Sequence, residues 1–428
     1  MRMSDKPQQA DRAPEKEIKQ LTTKQNMLWN SFGSICYLGC QWLITILIVR
    51  LSGGYEAQGT LALAMSVYNI FSPLAMYRMY TYQVSDVKHE NSVGEYFAFR
   101  MLTSSAALVG CIVYALLTCP TPALLAIALY AVFKIASLLI DVLHGLDQLN
   151  NRMDYIGKSL IMQGVLTLAA FCVIFGFTAS LESSLVGMLA ATVLVGVFYD
   201  YPRSRQFEPI KVKISRPKAV HLIKYCFPIV IAAVACAAAP SIPRQFLSFM
   251  QGESALGIYA SVAAPVAIIQ MGASYIYNPL LSVFSGQYAE NRIGDLVATF
   301  LKVVVGIAGI GVVCAIGFEL LGPWLLTLIF GQSIEPYTYL LLPIIISAIV
   351  SAYVWFLNDL LVALRCFKGS FVGNIVAVAI SIPATFFFVN TWDMNGISFT
   401  GIASYGIGAL VMAFYLVALF RKGSKQNV

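Results

Sequence analysis

Three ionisable side chains interrupt an otherwise apolar stretch, YAVFKIASLLIDVLHG at 130–145. Lys134, Ser137, Asp141 and His144 follow one another at spacings of 3, 4 and 3, so in a helix they share one face. A charge at the centre of a bilayer costs roughly 2.5–3.5 kcal/mol on insertion scales, so that face turns to a cavity or to partners. A lysine there suits an anion, and a carboxylate beside a histidine suits uptake and release of a cation or proton. The competing reading is an internal Lys134–Asp141 pair, about 10 Å apart by helix rise and joined only by bending long side chains.

Other cations extend the set. Arg50 closes one apolar run, Arg78 and Arg100 flank the ends of two more, and Arg244 follows Pro240 and Pro243 in FPIVIAAVACAAAPSIPRQF. Interfacial arginines usually reach for headgroups, which weakens Arg78 and Arg100 taken singly. Three prolines among small residues predict a broken, closely packed helix at Arg244. Asp359 holds about the place in the second half of the chain that Asp141 holds in the first. The candidate cavity cations that would meet a substrate pyrophosphate are therefore Arg50, Lys134, Arg244 and Arg78. Asp141, Asp359 and His144 are the candidate ion-coupling or gating groups. Cations with few acids suit phosphate or pyrophosphate, and Tyr37, Trp42, Tyr68, Tyr77, Tyr80 and Tyr130 are candidates to stack on sugar rings, although aromatics in membrane helices more often pack or form belts.

The elements that must position these groups are membrane spans. With 58% hydrophobic and 11% charged residues and a mean hydropathy of +0.75, the 428 residues lack the polar surface of a soluble protein. Twelve apolar runs of about 20 residues recur, near 27–49, 59–80, 99–118, 122–144, 159–179, 183–201, 222–248, 257–281, 297–320, 337–360, 370–390 and 399–420. No alternating barrel pattern appears, so the expected fold is all-α and integral to the membrane. Of 28 Lys and Arg, 25 fall in or beside the termini and the even-to-odd connections, the exceptions being Arg50, Lys134 and Arg244. That bias predicts a multi-pass protein of the cytoplasmic membrane with both termini cytosolic. The net charge of +7 reflects topology rather than a nucleic-acid surface.

The expected domains are a cytosolic tail at 1–26, a six-helix bundle at 27–201, a basic cytosolic linker at 202–220, a second six-helix bundle at 221–420 and a tail at 421–428. The start of the chain lacks the apolar core of a signal peptide. The longest outward connection is expected at about 321–336. SDVKHENSVGEYFA (85–98) and SGQYAENRIGDLVA (285–298) align at an offset of 200, which marks a duplication of six helices. Nine cysteines are scattered singly and the histidines do not cluster, so no disulfide framework, metal site or cofactor is indicated; no P-loop is present.

LWNSFGSICYLGCQWLITILIVRLSGG, followed by LALAMSVYNIFSPLAMYRMYTYQVSD, resembles the opening of the polysaccharide-biosynthesis flippases of the MOP (multidrug, oligosaccharidyl-lipid, polysaccharide) exporter superfamily. DQLNNRMDYIGKS, LGIYASVAAPVAIIQMGASYIYNPLL and GPWLLTLIFGQSIEPYTYLLLPI extend the resemblance over nearly the whole chain. It implies two six-helix bundles in a V, alternating access, and export of polyprenyl-pyrophosphate-linked oligosaccharide for O-antigen or capsule assembly. Arg50, in VRLSGG, matches the arginine that follows the first span in relatives and faces their cavity. The implied partners are that lipid-linked oligosaccharide, membrane lipid, and a polymerase and glycosyltransferases of the same pathway. Two rivals remain. A multidrug exporter of the same superfamily needs an acid-rich cavity for cationic drugs, and a membrane polymerase or ligase needs larger outward loops than these; the expectation is a transporter rather than an enzyme.

Overall fold

The computed structural model describes residues 21–86 and 90–425, and among them there is no strand. Twelve helical segments are long and apolar enough to cross a membrane, as the run lengths predict. They are α1 (Thr23–Ser52), α2 (Glu56–Ser85), α3 (Val93–Thr118), α4 (Thr121–Leu149), α5 (Met153–Thr178), α6 (Leu181–Ser204), α7 (Arg216–Gln251), α8 (Glu253–Ala289), α9 (Ile293–Phe330), α10 (Gln332–Ala363), α11 (Phe367–Trp392) and α12 (Asn395–Lys425). The helices form two bundles of six. In the first, α1 lies along α5, α5 along α6, and α3 against α2 and α4; in the second, α11 lies along α12 and α7, and α10 along α12. The bundles meet where α2 runs against α7 and α8.

Several boundaries differ from those the sequence suggests. The tail expected over 1–26 lies outside the described residues as far as Gln20, but Thr22 and Gln25 form a reciprocal capping box, so 23–26 already belong to α1. α7 begins at Arg216, inside the expected linker. The connection expected at 321–336 is largely helix, because α9 continues through Pro323 to Phe330 and stops at Gly331, whose φ of 98° ends the run. At the other terminus, residues 421–425 extend α12 and 426–428 lie outside the described residues.

The break predicted in α7 is also displaced. α7 is one continuous helix. A proline cannot donate to the carbonyl four residues back, so Pro240 frees the Cys236 carbonyl and Pro243 that of Ala239. Both are answered from neighbours: Tyr405 Oη donates to Cys236 O at 3.3 Å and Ser381 Oγ to Ala239 O at 2.8 Å. Inside lipid such replacement is what allows a helix to tolerate proline. Ser381→Ala is expected to lower stability by about 1 kcal/mol, and Ser381→Ala with Tyr405→Phe by more, read as a shift in the unfolding midpoint in detergent.

The discontinuity occurs in α2 instead. Tyr77 and Arg78 take φ values of 46° and 57°, which ends one helical segment at Met76 and starts another at Met79. The carbonyls left open are capped from α3: Thr103 Oγ1 donates to Ala75 O at 3.0 Å and Arg100 Nη1 to Met76 O at 2.8 Å. α8 turns at the matching place, passing through a 3₁₀ turn at Asn278–Leu280 just after Tyr277. Tyr77 and Tyr277 are 200 positions apart, as are the starts of α3 at Val93 and α9 at Ile293, in the register of the repeat.

Candidate functional site

A cavity of about 580 Å³ lies among α7, α8, α10, α11 and α12, with α2 contributing Asn69, Ser72 and Arg78. The kinked part of α2 brings Arg78 to it, and the proline-rich part of α7 brings Arg244. Neither guanidinium has a carboxylate within ion-pair distance among the described residues. Around them stand hydroxyls and amides, including Ser241, Ser347, Gln270, Asn358 and Asn374, and the rings of Tyr259, Trp355 and Tyr405. Trp355 keeps 37% of its surface exposed, so a ring face remains for a ligand. Two unpaired guanidiniums provide forked donors for a phosphate or carboxylate, and the hydroxyls, amides and rings match the polar edges and apolar faces of sugars.

The other sequence candidates lie elsewhere. Arg50 does not line this cavity: its Nε donates to Ile329 O at 2.7 Å and its Nη2 to Leu328 O, so it clasps the carbonyl end of α9. Those carbonyls carry the negative end of the helix dipole, which explains the attraction. Lys134 sits 5.9, 5.8 and 5.3 Å from the ring centres of Tyr37, Tyr130 and Phe133, a cation among aromatic faces. It has no carboxylate partner among the described residues. The Lys134–Asp141 pair is therefore not formed, and Asp141 Oδ2 lies 3.6 Å from Arg100 Nη2. His144 Nε2 is 3.2 Å from Asp200 Oδ1 on α6. Asp359 lies beside the cavity rather than in its wall, accepting from Tyr277 Oη at 3.1 Å and from its neighbour Asn358 Nδ2 at 3.3 Å. Asn358 Oδ1 in turn accepts from Ser370 Oγ at 2.6 Å and Asn374 Nδ2 at 2.9 Å.

None of the six aromatic residues singled out in the first two spans and α4 lines the cavity. Its rings come from α8, α10 and α12, where the signal available in sequence was only their place in apolar runs shared by many other aromatics.

At the end remote from the basic linker the bundles are sealed. α2 and α8 cross there backbone to backbone: a Cβ on Gly59 would stand 1.7 Å from Glu253 O, and one on Gly257 2.0 Å from Tyr55 O. Thr60 Oγ1 donates to the Glu253 carboxylate, Tyr55 Oη and Ser333 Oγ are 2.9 Å apart, and Tyr114 Oη donates to Gln245 at 2.7 Å. At the opposite end Lys218 Nζ holds Glu95 at 2.7 Å, and Tyr77 Oη donates to Ile223 O at 3.0 Å, which ties the start of α7 to the first bundle.

Comparison with known proteins places this arrangement. No protein-family model matches the chain. The lipid II flippase MurJ in its inward closed conformation superposes with a TM-score of 0.69 at 12% identity, covering 92% of this chain and 89% of that one. An inward-facing multidrug resistance MATE family transporter of the MOP superfamily gives 0.60 at 14% identity, covering 95% and 97%. The fold is that of the MOP superfamily. In sequence the chain is similar to the capsular polysaccharide biosynthesis protein CapF of Staphylococcus aureus, 24% identical over 301 residues, 69% of this chain and 74% of that protein. The MOP fold and the twelve apolar helices make this a multi-pass membrane protein.

Proposed function

We propose that the chain is a flippase that carries polyprenyl-pyrophosphate-linked oligosaccharide from the cytosolic to the outer face of the cytoplasmic membrane. The observation that carries this reading is the cavity with two unpaired guanidiniums, Arg78 and Arg244, amid hydroxyls, amides and rings. A cavity for cationic drugs calls for carboxylates in its wall, and this wall offers arginines. The similarity to CapF and the likeness to MurJ support a lipid-linked saccharide as the cargo class. In this reading the polyprenyl tail stays in lipid, the basic connection between α6 and α7 and both termini face the cytosol, and the α1–α6 and α7–α12 bundles rock against each other. The sealed end then faces outward, and a polymerase and glycosyltransferases act on either side of the step.

Deleting the gene is expected to remove surface glycan and to leave resistance to cationic drugs unchanged. Arg78→Ala and Arg244→Ala are each expected to lower surface glycan about tenfold at native membrane level, since a lost charge-assisted hydrogen bond is worth about 1.5–3 kcal/mol. Arg244→Lys should keep part of the activity, because the charge survives and the fork does not. Drug sensitivity with intact glycan in the deletion strain would favour the multidrug reading and sink this one.

A further inference from the structure

The first bundle holds a second polar site, away from the cavity, that the transport reading above does not use. His144 and Asp147 on α4 and Asp200 on α6 are 5%, 0% and 1% exposed. Asp200 takes His144 Nε2 at 3.2 Å on one oxygen and Ser159 Oγ, from α5, at 2.8 Å on the other. Asp147 Oδ1 accepts from Ser204 Oγ at 3.0 Å, while its Oδ2 is buried with no hydrogen-bond partner. The charged neighbours of His144 are Asp200, Asp141 and Asp147; those of Asp147 are His144, Asp200 and Asp154. Two of these neighbours are already matched, Asp141 by Arg100 and Asp154 by Arg152 at 2.8 Å and Lys158 at 3.2 Å. On the remaining side Tyr199 Oη has no hydrogen-bond partner, the Arg203 guanidinium lies against the Tyr199 ring, and Tyr80 of α2 donates to Gln148.

One imidazole thus faces two carboxylates in a place closed to water. If all three ionise, the group keeps an uncompensated negative charge, which a low-dielectric interior opposes strongly. One added proton cancels it and gives the bare Asp147 oxygen a hydrogen to donate.

Polar side chains along α5 adjoin this group. Gln163 Nε2 donates to Ser159 Oγ at 3.0 Å, Thr167 Oγ1 to the backbone carbonyl of Gln163 at 2.6 Å, and Gln41 Nε2 of α1 to Thr167 Oγ1 at 3.2 Å. Ser159, Gln163 and Thr167 recur every four residues, so they span roughly 12 Å along α5.

We propose that His144, Asp147 and Asp200 form a binding site for one exchangeable proton, with Ser159 joining it to the polar side chains along α5. The proton adds to the bare Asp147 carboxylate oxygen and leaves as a proton, with no other bond made or broken. An imidazole nitrogen on Asp200 makes a poor shell for sodium or potassium, which favour oxygen ligands. The role as a coupling site rests on the transport reading; occupancy by a proton does not, so the test needs no cargo.

Infrared difference spectra of the purified full-length protein in lipid nanodiscs, taken between about pH 8 and about pH 5 where histidine-linked groups titrate, read the carboxyl directly. The native protein is expected to gain one protonated-carboxyl C=O band on acidification. Asp147→Asn and Asp200→Asn should abolish or shift that band, and Ser159→Ala should shift it by removing a donor to Asp200. If Asp147→Asn does not fold, Asp147→Glu must still move the band. A native protein with no such band, or a band unmoved in every folded variant of Asp147, Asp200 and Ser159, overturns the site. Loss of the band's sensitivity with glycan export intact would remove the site and leave the flippase reading standing.

Discussion

Gly59→Val is expected to abolish glycan export while the protein still reaches the membrane. The added side chain must occupy space 1.7 Å from the Glu253 carbonyl oxygen, and backbone on the opposing helix cannot step aside as a side chain does. Closure at this end therefore requires hydrogen at the Cα of both Gly59 and Gly257, which is the use of small residues at close helix crossings in membranes. Held apart, α2 and α8 leave the cavity open on that side, so alternating access stops with one state populated. Cys236 lines the cavity and reports the change. With the remaining cysteines replaced by alanine, an impermeant thiol reagent applied from outside should label Cys236 in the Gly59→Val protein and spare it in the native background. Gly59→Ala places the same Cβ against the Glu253 backbone and should behave like Gly59→Val. Native export by Gly59→Val, or labelling equal in both backgrounds, removes the α2–α8 crossing as the outer gate.

That crossing was not legible in the sequence, although the helices that form it were. Run length identified twelve spans because hydrocarbon thickness fixes how many apolar residues a helix needs, and nothing about tertiary contact enters that argument. The repeat was legible for a similar reason: Val93 and Ile293 begin equivalent helices, and the connections beside them share Glu90/Glu290, Asn91/Asn291 and Gly94/Gly294. What failed were inferences that required knowing the neighbour. Prolines at 240 and 243 read as a break, yet Tyr405 and Ser381 restore the missing hydrogen bonds from α12 and α11. Pro73 stands a turn before the break, but Tyr77 and Arg78, which make it, are neither glycine nor proline, and the kink is held by Thr103 and Arg100 on α3. The same limit explains the site. Periodicity placed Lys134, Asp141 and His144 on one face, but each turns to a different partner: aromatic rings, Arg100 and Asp200. Arg78 and Arg244 reach the cavity, while Arg50 is taken by the end of α9.

The partner of Asp141 fixes the second large effect. Arg100 is 0% exposed and Asp141 is 32% exposed at the side chain, so the two members of the pair are not equivalent. Asp141→Asn leaves a fully buried guanidinium whose one remaining hydrogen bond among the described residues is to the Met76 carbonyl, and breaking a buried pair in this way costs on the order of 3–5 kcal/mol. Arg100→Met leaves a carboxylate that still reaches water, which lowers the electrostatic part of the cost, but it also uncaps the carbonyl end of the broken α2 helix. Asp141→Asn is therefore expected to reduce the folded yield and the unfolding midpoint sharply, and adding Arg100→Met should recover part of that loss, short of the native level because the Met76 carbonyl stays open. Adding Lys134→Met instead should recover nothing, since Lys134 sits among Tyr37, Tyr130 and Phe133 and takes no charge from Asp141. Unfolding midpoints of the single and double variants in detergent decide the matter, with folded yield as a second reading. Recovery of Asp141→Asn by Lys134→Met and not by Arg100→Met would overturn the Arg100 pairing and return Asp141 to the lysine on its own helix face.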